Sequence, residues 1–307
     1  MSSGSRHTVF SALVAAVSCA FLGRVAFGAR PAPQAPPPVR LVAPAVTDAS
    51  DVPPPDPHVL RVCADPNNFP FSDRAQAGFE NRIAELAARE LHRKLAYYWR
   101  PQRRGFVRTT LNANRCDVIM GVPASADMVR VTAPYYRSSY VFVSRRARHL
   151  SISSFDDPRL RRLRIGIPMV GDDGGNPPPA EALARRHIFD NVRGYAVYGD
   201  YSQPRPSWGV LNAVADGEID VAVAWGPLAG YFARHAADPI DLAPVSASAR
   251  SDRALPFAFD IAMAVRRSDV SLAAALDEVI ARRAAEIRRI LVSYGVPLAA
   301  ARREVKG

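Results

Sequence analysis

Two hydrophobic patterns alternate along the chain: short apolar runs, and longer stretches whose apolar residues lie three and four positions apart. Residues 60–64 form a short apolar run that stops at Asp65 and Pro66, which favour turns, and this pattern predicts a buried strand. An aromatic loop follows. Apolar residues then recur at helical spacing, at Phe79, Ile83, Leu86, Ala87 and Leu91. The folded part is therefore predicted to open with a strand, a loop and a helix.

The same two patterns continue to the carboxyl terminus. Apolar runs predict strands at 95–99, 117–122, 140–143, 163–168, 194–198, 220–225 and 256–265. Helices are predicted at 106–114, 177–191 with Asn176 as its cap, 208–215, 227–235 and 272–291. Alternating strands and helices imply parallel sheets. We expect an α/β fold of two lobes, each with a mainly parallel sheet flanked by helices, with crossings near 144–150 and 250–258.

The first 57 residues differ in composition from the rest of the chain. Arg6 and His7 precede an apolar run at 8–22, which has the length of a signal-peptide core and is shorter than the roughly 20 residues of a membrane span. We expect a signal peptide at 1–28; a lipid attached at Cys19 and an uncleaved anchor are the alternatives. Residues 29–57 contain ten prolines, which predict an extended linker.

The net charge of the chain limits which kinds of binding partner are expected. The first 57 residues hold four Arg and three acidic residues, so the remainder carries 36 basic and 26 acidic side chains, a net charge of +10. Such an excess can favour nucleic acid, an anionic membrane or an acidic protein. No nucleic-acid-binding motif is present, and the basic clusters at 100–108 and 159–164 are typical of solvated faces. An acidic protein partner is the interpretation we retain, and no nucleic acid is expected.

Two cysteines remain if Cys19 leaves with the signal peptide. In an exported protein Cys63 and Cys116 can form a disulfide, and two cysteines allow one pairing. They lie at the end of one predicted strand and the start of another, a placement that can leave them too far apart to bond. A disulfide and two buried thiols both stay open at this point.

Motifs for catalysis are missing from the sequence. The six His are isolated, and neither a G-x-S-x-G elbow, nor zinc-ligand spacing, nor a phosphate loop of the G-x-x-x-x-G-K type occurs. We therefore expect a binding protein without enzymatic activity, metal or cofactor.

Several long segments together point to one family. They are 117–123 (DVIMGVP), 134–143 (PYYRSSYVFV), 171–174 (GDDG), 190–195 (DNVRGY), 197–201 (VYGDY) and 217–232 (GEIDVAVAWGPLAGYF). From about Leu60 to Pro297 the chain resembles the quinoprotein-dehydrogenase-associated periplasmic proteins, the MoxJ and XoxJ type, found beside methanol dehydrogenases. These proteins have the type 2 periplasmic binding protein fold. The resemblance implies a first lobe of 58–147 and 251–307, a second lobe of 148–250, and a cleft between them.

The function implied by the resemblance is that of an accessory. Its partner would be a methanol or alcohol dehydrogenase that depends on pyrroloquinoline quinone and contains calcium or a lanthanide, together with the cytochrome c of that enzyme. The accessory would act in the periplasm, in assembly or activation of the dehydrogenase. The alternative is a solute-binding receptor that delivers a small ligand to the permease of an ABC importer.

The sequence departs from amino-acid receptors of this fold at two charged positions. Those receptors carry an Arg shortly after the third strand, which holds the ligand carboxylate, and here that stretch is 125–128 (SADM). They also place an Asp five residues after the Asp of the G-x-[IV]-D motif, and counting from Asp220 that position is Trp225. An amino-acid ligand is therefore not expected.

The predicted cleft residues come from loops and strand ends in both lobes. They are Asp65, Asn67, Asn68, Phe71, Asp127, Tyr135, Arg137, Asp172, Asp173, Asn176 and Trp225. Each residue also has a purely structural interpretation. The Asp and Asn residues are common in turns and helix caps, and the aromatic residues and Arg137 are typical of packing where the lobes meet. A sharper hypothesis has Asp172 and Asp173 bind a hard cation or a cationic ligand, with Asp127 or Asp65 across the cleft.

Overall fold

Two groups of strands that share one long strand form the framework of the computed structural model. The structure describes residues 56–169, 177–197, 204–246 and 255–300, and all of them belong to one unit that spans residues 47–307. The predicted signal peptide and all but the last two residues of the predicted linker lie outside the described residues.

The elements follow one another in α/β order. The strands are β1 (Val59–Ala64), β2 (Asn67–Asn68), β3 (Ser72–Asp73), β4 (Lys94–Trp99), β5 (Ile119–Pro123), β6 (Arg130–Val131), β7 (Tyr136–Arg145), β8 (Ile165–Met169), β9 (Val192–Ala196), β10 (Val221–Trp225), β11 (Ile240–Pro244) and β12 (Ala258–Val265). The helices are α1 (Phe79–Glu90), α2 (Phe106–Thr109), α3 (Pro178–Ala184), α4 (Gly209–Ala215), α5 (Gly226–His235) and α6 (Val270–Ser293).

Each lobe repeats the same arrangement of three parallel strands. In the first lobe β1 is parallel to β4, and a parallel bridge from Val62 to Val118 brings β5 to its other side. In the second lobe β8 is parallel to both β9 and β10. The strands β7, β11 and β12 pair antiparallel to their neighbours, so each lobe has a parallel core with antiparallel additions. These mixed sheets with flanking helices form the α/β architecture predicted from the sequence.

The long strand β7 carries the chain from one lobe to the other. Residues 136–139 pair with β12 in the first lobe, whereas residues 140–145 pair with β10 or β11 in the second. The crossing therefore lies between Ser139 and Tyr140, earlier than the expected 144–150, because the strand continues through the junction without a loop. The strand on the return path, β12, begins beside the same point, where Ala258 pairs with Ser139.

Each lobe has its own hydrophobic core. In the first lobe α1 and α6 cover the sheet, and Leu60, Phe79 and Leu276 are fully buried at their contact. In the second lobe α4 and α5 bury Val141 and Leu211 against the sheet. Replacing such a buried leucine by alanine typically costs about 2–5 kcal/mol, so these cores hold the strand ends that form the cleft.

An equivalent ion pair ties the first strand to the third in both lobes. Arg61 binds the carboxylate of Asp117 at 2.7 Å, and Arg164 binds that of Asp220 at 3.0 Å. In both pairs the Arg backbone N–H also donates to the same carboxylate. Burial opposes ionisation of Asp117, but hydrogen bonds from Arg61 and Arg266 outweigh it and lower its pKa. Asp220, the Asp of the G-x-[IV]-D motif, therefore supports the sheet.

A disulfide links β1 to the segment before β5 in the first lobe. Cys63 at the end of β1 bonds to Cys116, with Cα atoms 5.4 Å apart, because the parallel bridge at Val62 places the two segments side by side. Both cysteines belong to a buried hydrophobic cluster that also contains Phe106 and Leu111. Of the two states that the sequence left open, the structure has the disulfide.

Two helices and four strands differ from the sequence prediction. The helix expected at 106–114 ends at Thr109, and the hydroxyl of Thr110 donates to the Phe106 carbonyl at 2.6 Å. The helix expected at 177–191 ends at Ala184, and the chain leaves it through the left-handed residue His187. The strands β2, β3, β6 and β11 were not predicted. Among the described residues β11 pairs only with β7, and it ends in Pro244, a residue that edge strands tolerate.

Candidate functional site

The buried carboxylate of Asp65 holds the loop after β1 through hydrogen bonds. It accepts hydrogen bonds from the backbone N–H groups of Asn67 at 2.8 Å and Gln102 at 2.7 Å. A Cβ atom at Gly78 would lie 2.0 Å from the Phe71 carbonyl oxygen, so glycine is required where the loop folds back on α1. Asp65 thus fixes the loop, as a turn residue does.

The tip of this loop reaches into the second lobe. Phe69 is part of the second-lobe core, with its ring edge-on to Tyr231 at 4.8 Å between centroids. The Phe69 carbonyl accepts a hydrogen bond from the indole N–H of Trp208 at 3.0 Å, and the backbone N–H of Arg205 donates to Asn67 Oδ1 at 3.3 Å. The first-lobe loop is therefore anchored in the second lobe beside the cleft.

A cavity of about 260 Å³ lies between the lobes. Its lining is mostly aromatic and apolar, with two amides and one acid, and it contains no basic side chain. The lining residues are Asn68, Phe71, Glu80, Gln102, Gly121, Pro123, Tyr136, Tyr140, Trp225, Phe259 and Ile261. Both lobes contribute, since the first loop and α1 form one wall and the end of β10 forms another.

Three aromatic rings meet on one side of the cavity. The Tyr140 and Trp225 ring centroids are 5.4 Å apart, those of Trp225 and Phe259 are 5.8 Å apart, and all pairs are tilted toward edge-to-face geometry. They come from β7, which crosses between the lobes, from β10 in the second lobe and from β12 in the first. The alternation of β12 directs Phe259 and Ile261 to the cavity and Asp260 to the opposite face.

Glu80 is the one acidic side chain of the cavity lining. It lies in the first turn of α1, and its Oε1 atom lies against Gly121, where a Cβ atom would be only 2.2 Å away. Among the described residues no cation or hydrogen-bond donor pairs with this carboxylate. Burial, with a smaller contribution from the Asp65 charge, raises the pKa of Glu80 to about 7. This residue therefore changes its charge near neutral pH and not in the usual acid range.

Replacing Glu80 by glutamine is expected to stabilise the protein at pH 8 by about 3 kcal/mol. Because the pKa rises from 4.5 in the unfolded chain to about 7 in the folded protein, folding favours the protonated acid and stability is lost as the pH rises through this window. The gain from Glu80→Gln should shrink toward zero near pH 4.5. Urea unfolding of both proteins at the two pH values measures it, and an equal gain at both would contradict this assignment.

The structure brings three of the predicted cleft residues together. Asn68, Phe71 and Trp225 line the cavity. Asp65 and Asn67 lie in the loop behind it and bind backbone groups.

The other predicted cleft residues lie elsewhere. Tyr135 donates its hydroxyl to the Met120 carbonyl at 2.7 Å, and Arg137 pairs with Asp260 at 2.6 Å. Asp127 is exposed, and its carbonyl accepts a hydrogen bond from Arg267. The three remaining predictions, Asp172, Asp173 and Asn176, lie outside the described residues.

Sequence reasoning missed Glu80, Gln102, Tyr140 and Phe259. Glu80 has the pattern of an ordinary first-turn acid, which favours a helix N-terminus whether or not it faces a cavity. Phe259 comes from a strand far along the chain, and only the crossing of the lobes places it here. A usable signal existed for Tyr140, since it lies in the strand that was predicted to lead toward the second lobe.

The chemistry of the cleft is that of an apolar binding site. The lining offers no nucleophile paired with a base, and within the described ranges no three His, Cys, Asp or Glu side chains are grouped to hold a metal ion. No helix among the described residues has the length and apolarity to cross a membrane. The site is suited to holding a group between aromatic walls.

Comparison with known proteins places the fold in one class. The crystal structure of MxaJ from Methlophaga aminisulfidivorans matches with a TM-score of 0.67 at 24% identity, covering 78% of this chain and all of that chain. The periplasmic binding protein XoxJ from Methylobacterium extorquens AM1 matches with a TM-score of 0.64 at 36% identity, covering 79% of this chain and all of that chain. The two lobes and their cleft are those of a type 2 periplasmic binding protein.

Sequence comparison identifies the family within this class. The protein MoxJ of Methylorubrum extorquens AM1 is 32% identical over 266 residues, which is 83% of this chain and 86% of that protein. This chain belongs to the MoxJ family. A scan of protein-family models finds no match.

Proposed function

We propose that this protein is a periplasmic, non-catalytic accessory of a methanol dehydrogenase that depends on pyrroloquinoline quinone and contains calcium or a lanthanide. It assists assembly or activation of the enzyme by holding part of it in the cleft between the lobes, beside the cytochrome c that accepts the electrons. Membership of the MoxJ family supports this role, and the disulfide suits the oxidising periplasm.

The aromatic cleft without ionic anchors carries the proposal. A free amino acid would find no Arg in the lining for its carboxylate, and that carboxylate would face Glu80. Aromatic side chains such as Trp225 and Phe259 are enriched where protein partners bind most strongly. The cleft therefore favours a segment of a protein over a nutrient amino acid.

A basic surface adjoins the cleft. Gln102 lines the cavity, and the same segment exposes Arg100, Arg103, Arg104 and Arg108 around it. With the net charge of +10 after residue 57, this surface favours an acidic partner that is steered toward the cleft by its charge.

Charge reversal at this surface is expected to slow association with the dehydrogenase. Arg104→Glu with Arg108→Glu should lower the association rate constant about tenfold at low salt and flatten its salt dependence, because steering depends on exposed charge. Stopped-flow mixing with purified dehydrogenase measures both. Arg288→Glu with Arg289→Glu makes the same charge change on α6 as a control, and equal slowing by the two pairs would show that only net charge matters.

The role in activation has a direct genetic test. Deleting the gene should lower the activity and metal content of the dehydrogenase while its polypeptide is still made. Unchanged activity and metal content in the deletion strain would contradict the proposed role.

A receptor for a small ligand other than an amino acid is the second candidate. The cavity between the lobes favours it, because about 260 Å³ accommodates a small molecule more readily than a long peptide. This candidate predicts that one solute in a screen of alcohols, quinones and metal ions raises the melting temperature clearly, and that the dehydrogenase does not associate.

A further inference from the structure

An unpaired acid inside an aromatic cavity is unexpected in a protein of such positive charge. No described residue neutralises the Glu80 carboxylate, and the cavity lining contains no Lys, Arg or His. The nearest cation along β7, Arg137, is already paired with Asp260 on the opposite face of the strand pair. When Glu80 is ionised the cavity is therefore electronegative, although the protein carries a net charge of +11.

The aromatic rings add to this preference. The rings of Tyr140, Trp225 and Phe259 line the cavity together with Glu80, and the Phe71 and Tyr136 rings complete the wall. Ring faces attract cations, and the attraction is strongest where water is excluded. A carboxylate enclosed by aromatic rings thus recognises an organic cation.

We propose that the cavity binds an ammonium or guanidinium group on a short aliphatic stem, with Glu80 as its ion-pair partner and the rings around the stem. This inference deepens the proposed function, since it concerns the same cleft and names the chemistry of what enters it. An anionic group would instead meet Glu80, with Asp65 behind it in the loop.

The size of the cavity limits the ligand. About 260 Å³ is just below the roughly 300–1,000 Å³ of typical small-molecule pockets, so a single short side chain or a small amine fits. The same cation chemistry has two sources: a free organic amine, or a Lys or Arg side chain presented by a protein partner. The amides of Asn68 and Gln102 can accept hydrogen bonds from either.

Binding of a permanent cation should depend on pH through Glu80. The other titratable groups that act on or beside this carboxylate are Asp65 in the first loop, Tyr97 on β4, Tyr135 just before β7 and Tyr136 at its start. Burial raises the pKa of all three tyrosines, so they stay neutral at neutral pH. Because the cation requires ionised Glu80, affinity should rise about tenfold from pH 6 to pH 8 and level off above.

Calorimetric titration of the full chain tests the proposal with defined probes. Butylguanidinium keeps its charge at every pH used, and 1-pentanol is an uncharged probe of similar length. We expect butylguanidinium to bind at pH 8 at least tenfold more tightly than pentanol. Glu80→Gln, which keeps the shape of the protonated acid, should lose at least tenfold for the cation and change pentanol binding little.

A second variant and a peptide complete the design. Trp225→Leu keeps apolar bulk but removes a ring, so it should weaken the cation more than pentanol. A blocked peptide with one lysine, compared with its norleucine analogue, assigns the source: tighter binding of the lysine peptide than of butylguanidinium indicates a partner side chain, and the reverse indicates a free amine.

The outcome is separable from the proposed function. Equal binding of butylguanidinium and pentanol, or an unchanged cation affinity in Glu80→Gln, would overturn the inference. Association with the dehydrogenase, measured in parallel with the same proteins, tests the accessory role whether or not a cation binds.

Discussion

Removing the disulfide between Cys63 and Cys116 is expected to destabilise the folded protein by about 4 kcal/mol. The bond joins residues 53 positions apart, and closing a loop of that length lowers the entropy of the unfolded chain by about this amount at 25 °C. It also ties β1 to the segment before β5, from which the cleft loops emerge. This loss is a large share of the 5–15 kcal/mol that stabilises a typical domain.

Urea unfolding with and without a reducing agent measures this effect in one protein. The double variant Cys63→Ala and Cys116→Ala should be as unstable as the reduced wild type and should not respond to the reductant. If reduced and oxidised wild-type protein unfold at the same urea concentration, the stabilising role of the bond is wrong.

Replacing Phe69 by alanine is expected to cost about 3 kcal/mol. The ring belongs to the first-lobe loop but is 8% exposed within the second-lobe core, edge-on to Tyr231. The Arg205 guanidinium lies 5.2 Å from the Phe69 ring centroid and 4.5 Å from the Trp208 ring centroid. Phe69 therefore also contributes a cation–π contact to Arg205 of the second lobe. Deleting a buried phenylalanine ring typically costs 3–5 kcal/mol.

A matched variant separates this anchor from a general effect of losing a ring. Phe189 in the second lobe is 57% exposed, and Phe189→Ala should change the free energy of unfolding by less than about 0.5 kcal/mol. Equal destabilisation by the two variants would contradict the role of Phe69 as the contact that joins the lobes.

Much of the fold could be predicted from local patterns. The strands at 60–64, 95–99 and 220–225 and the long helix α6 follow apolar runs or helical spacing that agree with their burial. One error lies where a side-chain hydrogen bond to the backbone competes with the helix, as at Thr110. Another lies where a proline at its end makes an edge strand hard to recognise, as at Pro244.

The site could be predicted only in part. Loops that follow parallel strands converge at one edge, and this rule placed Asn68, Phe71 and Trp225 at the cleft. The acid and the far aromatic wall could not be found this way. Glu80 differs from an ordinary first-turn acid only in being buried in the folded protein, which its neighbours in sequence do not show. Phe259 lies at the cavity because β12 pairs with β7.

The central claim is that the cleft itself engages the quinone-dependent dehydrogenase. Light scattering of the purified full chain mixed with purified methanol dehydrogenase tests it most directly, using wild type beside Trp225→Leu with Phe259→Leu, which keep apolar bulk. We predict a complex of the summed mass for the wild type and its loss in the double variant with unchanged circular dichroism. No complex with the wild type, or an equally stable complex with the double variant, would contradict this claim.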